Sequence, residues 1–400
     1  MKSIAILGFG VVGGGVADLL TKNAAEVAAL GGDTVKIKYI LDLRDFPNSP
    51  FADRVVHDFE PILTDPEVDT VIEVMGGSHP AYEYTLAALR AGKNVISSNK
   101  EVVATYGDEF IAAAKAAGVV YRFEAAVGGG IPVISPLISL IKQNKIKEVR
   151  GILNGTTNYI LTKMFSFGES FEDSLRDAQE RGYAERNPDA DILGTDAARK
   201  ITILAAIATG ELLPVSEIPT EGITGIRAAD VAAADLLGRK IKLLGRCVIN
   251  GDEKHIMVAP FLLAEDTPLS TVSGVYNAVE VISEPLGSVM FFGQGAGAAP
   301  TASAVVGDLM QIMRSGTHTA PVTFNRTSYS AKDCFASFTS RHYLAFDGGL
   351  SVRIREHFPL ATYLETPDEC SLVTEELSES ELESRLAALG VRPLSHIRFL

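Results

Sequence analysis

The chain has 400 residues, of which 46% are hydrophobic and 22% charged, a balance that suits a soluble globular protein of two or three domains. A formal net charge of −14 argues against non-specific binding to nucleic acid or a membrane surface, since both are anionic. Three widely spaced cysteines (Cys247, Cys334 and Cys370) offer no disulfide framework and no thiolate metal site, and no window is apolar for long enough to span a bilayer.

In chain order, Ser3 to Leu7 is a short apolar run ending in Gly8. Beyond the glycines, Val16, Leu19, Leu20, Val27 and Leu30 keep one face of a 3.6-residue period, which predicts a helix. VKIKYILDL and TVIEVMGG read as strands, AYEYTLAALRAG as a helix, NVISSN as a strand, FIAAAKAAG as a helix and VVYRFEAA as a strand. This alternation predicts a parallel sheet covered on both faces over residues 1–130. After Gly130 the rhythm changes: IPVISPLISLIKQ reads as a helix, IKEVRGILNG as a strand, and TTNYILTKMF and SFEDSLRDAQERG as helices, the latter capped by Ser170. Residues 240–300 hold several strand candidates, so 131–299 is expected to be a middle α+β domain with a mixed sheet. PTASAVVGDLMQIM predicts a helix near 300–314. The polar stretch 314–333 reads as a linker, and 335–400 as a small α+β module. The fold class is therefore α/β.

GFGVVGGG spaces Gly8, Gly10 and Gly13 as G-x-G-x-x-G between a strand and a helix. The first glycine permits a tight turn, the second lets backbone approach a pyrophosphate, and the third lets helix and strand pack closely. This Rossmann-type context points to a dinucleotide held by Gly8, Phe9, Gly10, Val11, Val12 and Gly13. A glycine turn with a purely structural role has the same appearance. At the end of the next strand stand Asp42, suited to a ribose hydroxyl pair, and Arg44, suited to a 2′-phosphate. The choice between NAD and NADP stays open on these residues.

ISSNKEVVA puts Lys100 just beyond a predicted parallel strand, where open α/β sheets bind ligands. Residues 181–200, RGYAERNPDADILGTDAARK, crowd Glu185, Asp189, Asp191 and Asp196 before an apolar helix. Asp196 and Lys200 are an i, i+4 pair on one helix face, so the carboxylate can orient the ammonium. A surface ion pair is one reading, contributing about 0–1 kcal/mol. The other is a cleft in which Glu185 and Asp191 bind a substrate ammonium and Lys200 protonates a carbonyl oxygen. The residues alone leave the two even.

The stretch from Ala178 through Lys200 resembles the signature of homoserine dehydrogenases, with Ala178, Gly182, Tyr183, Ala184, Asn187, Pro188, Asp191, Ile192, Gly194, Asp196 and Lys200 in order. GILNGTTNYIL at 151–161, SSNKEVVA and GQGAGAAPTASAVVGDL at 293–309 are similar to other family segments, and the resemblance runs over about residues 1–315. It implies NAD(P)H-dependent interconversion of L-aspartate 4-semialdehyde and L-homoserine, on the way to threonine, isoleucine and methionine. It also implies Lys200 as proton donor held by Asp196, with Lys100 a second catalytic candidate. Glu185, Asp191, Tyr183 and Gly182 are then the substrate side, and Arg44, Gly76, Gly77, Lys100 and Gly297 join the cofactor loop. FEAAVGGGI resembles the segment that holds Na+ in the family, here Glu124, Val127, Gly129 and Ile131; a glycine-rich turn suits the same residues. A cytoplasmic homodimer, formed through the middle domain, is implied as well. Long members end in an ACT domain. The tail 335–400 is similar in element order but has only FDGGL where the family has an acidic-x-Pro-Gly turn, so an amino-acid effector is an expectation of the resemblance alone. Two rivals remain: aspartate-semialdehyde dehydrogenase, which needs a nucleophilic cysteine, and a non-catalytic nucleotide or amino-acid sensor. His79 in GGSHP reads as a loop residue near the cofactor and not as a base.

Overall fold

The structure is a computed structural model that describes residues 1–315, 322–327, 329–365 and 369–400. Of the expected linker, residues 316–321 and 328 lie outside the described residues. No helix among the described residues is long and apolar enough to cross a membrane. The chain divides into two compact units. The first is Met1–Lys145 with Thr202–Val215 and Phe291–Thr327; the second is Ile146–Ile201 with Ser216–Met290 and Ser328–Leu400.

In the first unit, β1 (Lys2–Leu7), β2 (Val35–Leu41), β3 (Val55–Val56), β4 (Val68–Glu73), β5 (Asn94–Ser97) and β6 (Tyr121–Arg122) form one sheet in the order β3-β2-β1-β4-β5-β6. All pairings in it are parallel. Parallel strands need crossovers that cover both faces, which is why Ile4, Ala5, Ile6, Val71, Ile72, Val95 and Ile96 are fully buried. The strand order reverses between β1 and β4, so the loops after these two strands leave in opposite directions and open a crevice. The expected alternation is present, except that VVYRFEAA gives only the short β6, followed by a helical turn at Ala125–Gly128.

The helix Val11–Lys22 packs on this sheet, and the helix Ala298–Ser315 packs on it in turn. Gly15 makes that second contact close: a Cβ there would lie 3.3 Å from the Ala302 Cβ. Val16, Leu20, Ala302, Val305 and Leu309 share one core with Ile4 and Ile6.

The remaining strands follow in chain order: β7 (Lys145–Ile152), β8 (Glu211–Leu212), β9 (Arg239–Asn250), β10 (Glu253–Ala264), β11 (Tyr276–Glu284), β12 (Gly287–Gln294) and β13 (Asn325–Arg326). The tail contributes β14 (Thr339–Ser340), β15 (His342–Asp347), β16 (Thr362–Glu365), β17 (Glu369–Val373), β18 (Leu377–Ser378) and β19 (Ser395–Phe399). Nine of these form a mixed sheet in the order β12-β11-β7-β9-β10-β19-β15-β17-β16. β9 and β10 are a long antiparallel hairpin turned at Gly251, which has φ +66°. β19 lies parallel to β10, pairing Phe261 with Arg398 and Leu262 with Phe399. The tail strands thus extend the sheet of residues 146–290 within the second unit.

Helix Thr195–Thr209 carries Asp196 and Lys200 and begins in this second unit. Gly245 on β9 lets its first turns approach the sheet: a Cβ there would stand 3.0 Å from the Ile201 Cβ and 2.6 Å from the Leu153 Cδ1.

Candidate active site

In the first unit β1 ends at Leu7, and Gly8 makes the turn at φ +95°. A Cβ on Gly13 would fall 2.0 Å from the Gly8 carbonyl oxygen, so only glycine lets the helix start this close to the strand end. Around Gly10 nothing lies within 4 Å of the Cβ position, which leaves bare backbone facing open space. Val11 is exposed and Val12 half-buried beside it. The Phe9 amide donates to Asp42 Oδ2 at 2.8 Å, and the Phe9 ring meets Phe46 edge-on at 5.0 Å. A cleft of about 460 Å³ follows, lined among others by Gly8, Gly10, Asp42, Arg44, Met75 and Gly76. The donor set fits a dinucleotide: bare amides at a helix N-terminus for the pyrophosphate and a charged pair at the end of β2 for the ribose.

Asp42 and Arg44 face each other across that strand end. Arg44 Nε donates to Asp42 Oδ1 at 3.0 Å and Nη2 to Oδ2 at 3.1 Å. The Arg44 guanidinium, helped by the Phe9 and Arg44 amides, holds the Asp42 carboxyl down at about 2. Arg44 remains largely exposed, its guanidinium 5.1 Å from the Phe46 ring centroid.

On the other side of the crevice, Lys100 lies just beyond β5 and is the first residue of the helix Lys100–Ala117. Asn99 caps this helix: its Oδ1 accepts from the Glu101 and Val102 amides, while its Nδ2 donates to the Gly77 carbonyl at 2.8 Å. Beneath lies Glu73, fully buried at the end of β4, accepting from Ser97 Oγ at 2.6 Å and the Met75 amide at 2.9 Å. Burial pushes its carboxyl up to about 7. Glu73 and Asn99 therefore tie the Gly76–Gly77 loop to the start of the helix that carries Lys100. His79 is exposed and pairs with Glu83 at 2.7 Å.

In the second unit, Lys200 is a buried ammonium, not a surface one. Its Nζ donates to Asp196 Oδ2 at 2.8 Å and to the Leu153 carbonyl at 2.7 Å, and the lysine and aspartate side chains are 10% and 6% exposed. Asn154, at the junction of β7 and the helix Gly155–Phe167, completes the cluster. Its Nδ2 lies 2.7 Å from Asp191 Oδ1 and 3.0 Å from Asp196 Oδ2, while its Oδ1 caps the helix by accepting from the Thr157 amide at 2.9 Å. Burial raises the Asp191 carboxyl above its ordinary range, because a desolvated anion is disfavoured.

The other substrate candidates lie at the rim. Gly182, at φ +74°, ends the helix Phe171–Glu180. The Tyr183 carbonyl accepts from Thr156 Oγ1 at 2.7 Å, and its half-exposed ring is 4.9 Å from Tyr159. Glu185 is exposed, and its carbonyl accepts from Gln179 Nε2 at 3.1 Å. The structure thus gathers Asp191, Asp196 and Lys200, and leaves the Glu185 side chain turned to solvent.

The segment expected to hold a cation is a tight loop in the first unit. The Glu124 carboxylate accepts three backbone amides, from Val133, Ile134 and Ser135, at 2.7–2.8 Å. Gly129 has φ +56°, and a Cβ on it would lie 2.3 Å from the Gly295 carbonyl oxygen, so the segment before Gly297 packs directly on it. Among the described residues, no backbone hydrogen bond outside helices and strands ends on the carbonyls of Val127, Gly129 or Ile131. Hard carbonyl oxygens without amide donors are the chemistry an alkali cation takes.

Residues 132–310 match the family model of homoserine dehydrogenase, and residues 8–124 match that of its NAD-binding domain. The homoserine dehydrogenase of Synechocystis sp. is 42% identical over 347 residues, which are 85% of this chain and 78% of that protein. The chain belongs to the homoserine dehydrogenase family. The Pseudomonas aeruginosa member is 41% identical over 78% of this chain and 73% of its own length. The crystal structure of the member from Thiobacillus denitrificans superposes with a TM-score of 0.89 at 32% identity, covering 100% of this chain and 98% of that one. A hyperthermophilic archaeal member, a mutant in complex with NADPH, gives a TM-score of 0.67 at 29% identity over 78% of this chain and 97% of that one.

Membership gives the chain homoserine dehydrogenase function, that of an NAD(P)-dependent oxidoreductase with an N-terminal nucleotide-binding sheet. The sensor alternative finds no support in these relatives. The rival that needs a cysteine nucleophile gains nothing from Cys247, which is fully buried and whose thiol burial pushes up to about 12. Sequence reasoning missed Asn154, Leu153, Glu73 and Asn99. The signal for Asn154 and Asn99 was available, since each is an asparagine between a strand and a helix, the usual position of an N-cap. Glu73, between the apolar pairs Val71–Ile72 and Val74–Met75, was the other visible clue.

Proposed function

We propose that Lys200 donates the proton to the carbonyl oxygen of L-aspartate 4-semialdehyde as homoserine forms, with Asp196 holding the ammonium in place. The observation that carries this reading is the buried Lys200 Nζ, fixed between Asp196 Oδ2 and the Leu153 carbonyl. A nicotinamide cofactor, when bound, supplies the hydride that reaches the aldehyde carbon. The oxygen then takes a proton from Nζ, and solvent returns one to the amine. A fixed ammonium in a site largely closed to water stabilises the developing alkoxide more than a mobile one, because its dipoles need no reorganisation. Asp191, with Asn154 between it and Asp196, is suited to the substrate ammonium, and the backbone around Gly182 and Tyr183 to its carboxylate end. Glu185 joins this set only if its exposed side chain turns inward when substrate binds. Lys100, at a helix start tied to Gly77, is the second lysine proposed to contact cofactor or substrate.

For the cofactor, both Asp42 oxygens already accept from Arg44, and Oδ2 also from the Phe9 amide. An exposed guanidinium held in this way suits a 2′-phosphate, so NADPH is the proposed preference; the NADPH complex of the archaeal relative supports it. Na+ is proposed at Glu124, Val127, Gly129 and Ile131 as a structural ion that stiffens the loop under Gly295. A cytoplasmic homodimer formed through 131–299 and an ACT-like role for 335–400 complete the proposal and rest on family resemblance.

The test is Lys200→Ala. Turnover should fall by about 10²- to 10⁴-fold, the range for a positioned general acid, while NADPH binding followed by fluorescence titration stays at the parent value. Unchanged turnover would reject the proton-donor role.

A further inference from the structure

The acidic segment that carries Asp191 does not rest on its own helix alone. Gly222 lies so close beneath it that a Cβ would fall 2.1 Å from the Ile192 carbonyl oxygen and 2.6 Å from the Leu193 Cα. The next amide, of Ile223, donates to that same Ile192 carbonyl at 2.8 Å. Gly194, at φ +84°, meets the same support from its other end: its Cβ position is 3.1 Å from the Thr220 Cγ2. Residues 219–223 are therefore the seat of the substrate segment. This seat is itself pinned to β10, where the Glu221 amide donates to the Val258 carbonyl at 2.8 Å and the Val258 amide to the Pro219 carbonyl at 2.9 Å.

A strong side-chain anchor of the seat comes from the tail. Arg398 on β19 is 1% exposed and grips Glu221 with two parallel bonds, Nη1 to Oε2 at 2.9 Å and Nη2 to Oε1 at 2.8 Å. Its other edge grips Glu379, at the start of the helix Glu379–Leu389, at 2.5 and 2.9 Å. One planar guanidinium thus bridges a carboxylate of the tail and a carboxylate of the seat, a geometry that an ammonium does not reproduce.

We infer that the Arg398–Glu221 pair is a positioning device for substrate recognition: through residues 219–223 the tail sets where Asp191 stands. This rests on the proposed assignment of Asp191, Asp196 and Lys200 to the substrate site. It gives the tail a part in binding the semialdehyde that needs no effector molecule.

Glu221 is the residue to change, because its side chain is 41% exposed and its loss leaves Arg398 paired with Glu379. In the full chain, Glu221→Ala should raise KM for aspartate semialdehyde about 3- to 20-fold, the range for mutations that act through a packed network. KM for NADPH should change less than twofold, and the thermal unfolding midpoint should hold within a few degrees. Glu221→Gln, which keeps the shape and part of the hydrogen bonding, should fall between the two. Arg398→Lys should raise the same KM, and combining it with Glu221→Ala should add little, since both remove one link. An unchanged semialdehyde KM in Glu221→Ala overturns the inference. So does a parallel rise of both KM values with a lowered midpoint, the mark of general loosening. Lys200→Ala, assayed alongside, reports on the proton-donor reading alone, so each idea can fail without the other.

Discussion

The two units build their ligand-facing walls by opposite means. Around Gly8, Gly10 and Gly13 the wall is main chain, and what matters is the side chain that is missing: the helix start stands where a Cβ would overlap the Gly8 carbonyl oxygen at 2.0 Å. Around Lys200 the wall is made of charge held out of water, and what matters is that each charged group has a partner. Such sites break differently. The first is damaged by adding a methyl group, which forces backbone apart; the second by removing an atom that accepts a bond, which strands its partner.

The largest effect should come from stranding the ammonium. Asp196→Ala leaves Lys200 buried with its carboxylate gone, and losing one partner of a buried pair costs about 3–5 kcal/mol. The urea midpoint should fall accordingly, with NADPH affinity of the folded fraction kept. A midpoint equal to the parent's would mean that Lys200 is hydrated, and the contrast between the units would dissolve.

Next comes Glu73, a carboxyl that the first unit buries. Its folded value of about 7 lies above the ordinary 4.5. The folded state therefore keeps the proton longer than the unfolded chain does. This contribution is fully present below pH 4.5 and is lost as the pH rises through 7. The shift corresponds to about 3 kcal/mol. Glu73→Gln, neutral at every pH, should flatten the fall in urea midpoint across this window; a slope unchanged from the parent would show that the carboxyl ionises without penalty.

Gly13→Ala should do least to the fold, about 1–3 kcal/mol of overpacking strain, and most of its damage should be read in cofactor binding. NADPH affinity should drop at least tenfold, with the binding of homoserine left near the parent value. Equal losses of both ligands would erase the distinction drawn here.

Much of this was legible in the amino acids. The glycine spacing and the alternation of strand and helix led to the parallel sheet, and the i, i+4 spacing led to the Asp196–Lys200 pair. Both are local patterns, written within a turn or a strand. The rest is not local. Leu153 reaches Lys200, and Asn154 reaches Asp196, from more than 40 positions away, and no period marks them. Nothing in HIRFL says that its strand will pair with β10 and its arginine with Glu221. That pairing depends on which sheet edge is open once the rest has folded. Nor could the sequence separate Glu185 from Asp191, two carboxylates in one acidic run; only burial distinguishes them.

Gly245 bears on how such a site drifts over generations. Because the Ile201 and Leu153 side chains rest against bare main chain at that point, the depth of the helix on the strand depends on the absence of a side chain at position 245. Lineages can exchange the greasy residues around it, one branched chain for another, so long as position 245 stays bare and the helix keeps its depth on the sheet.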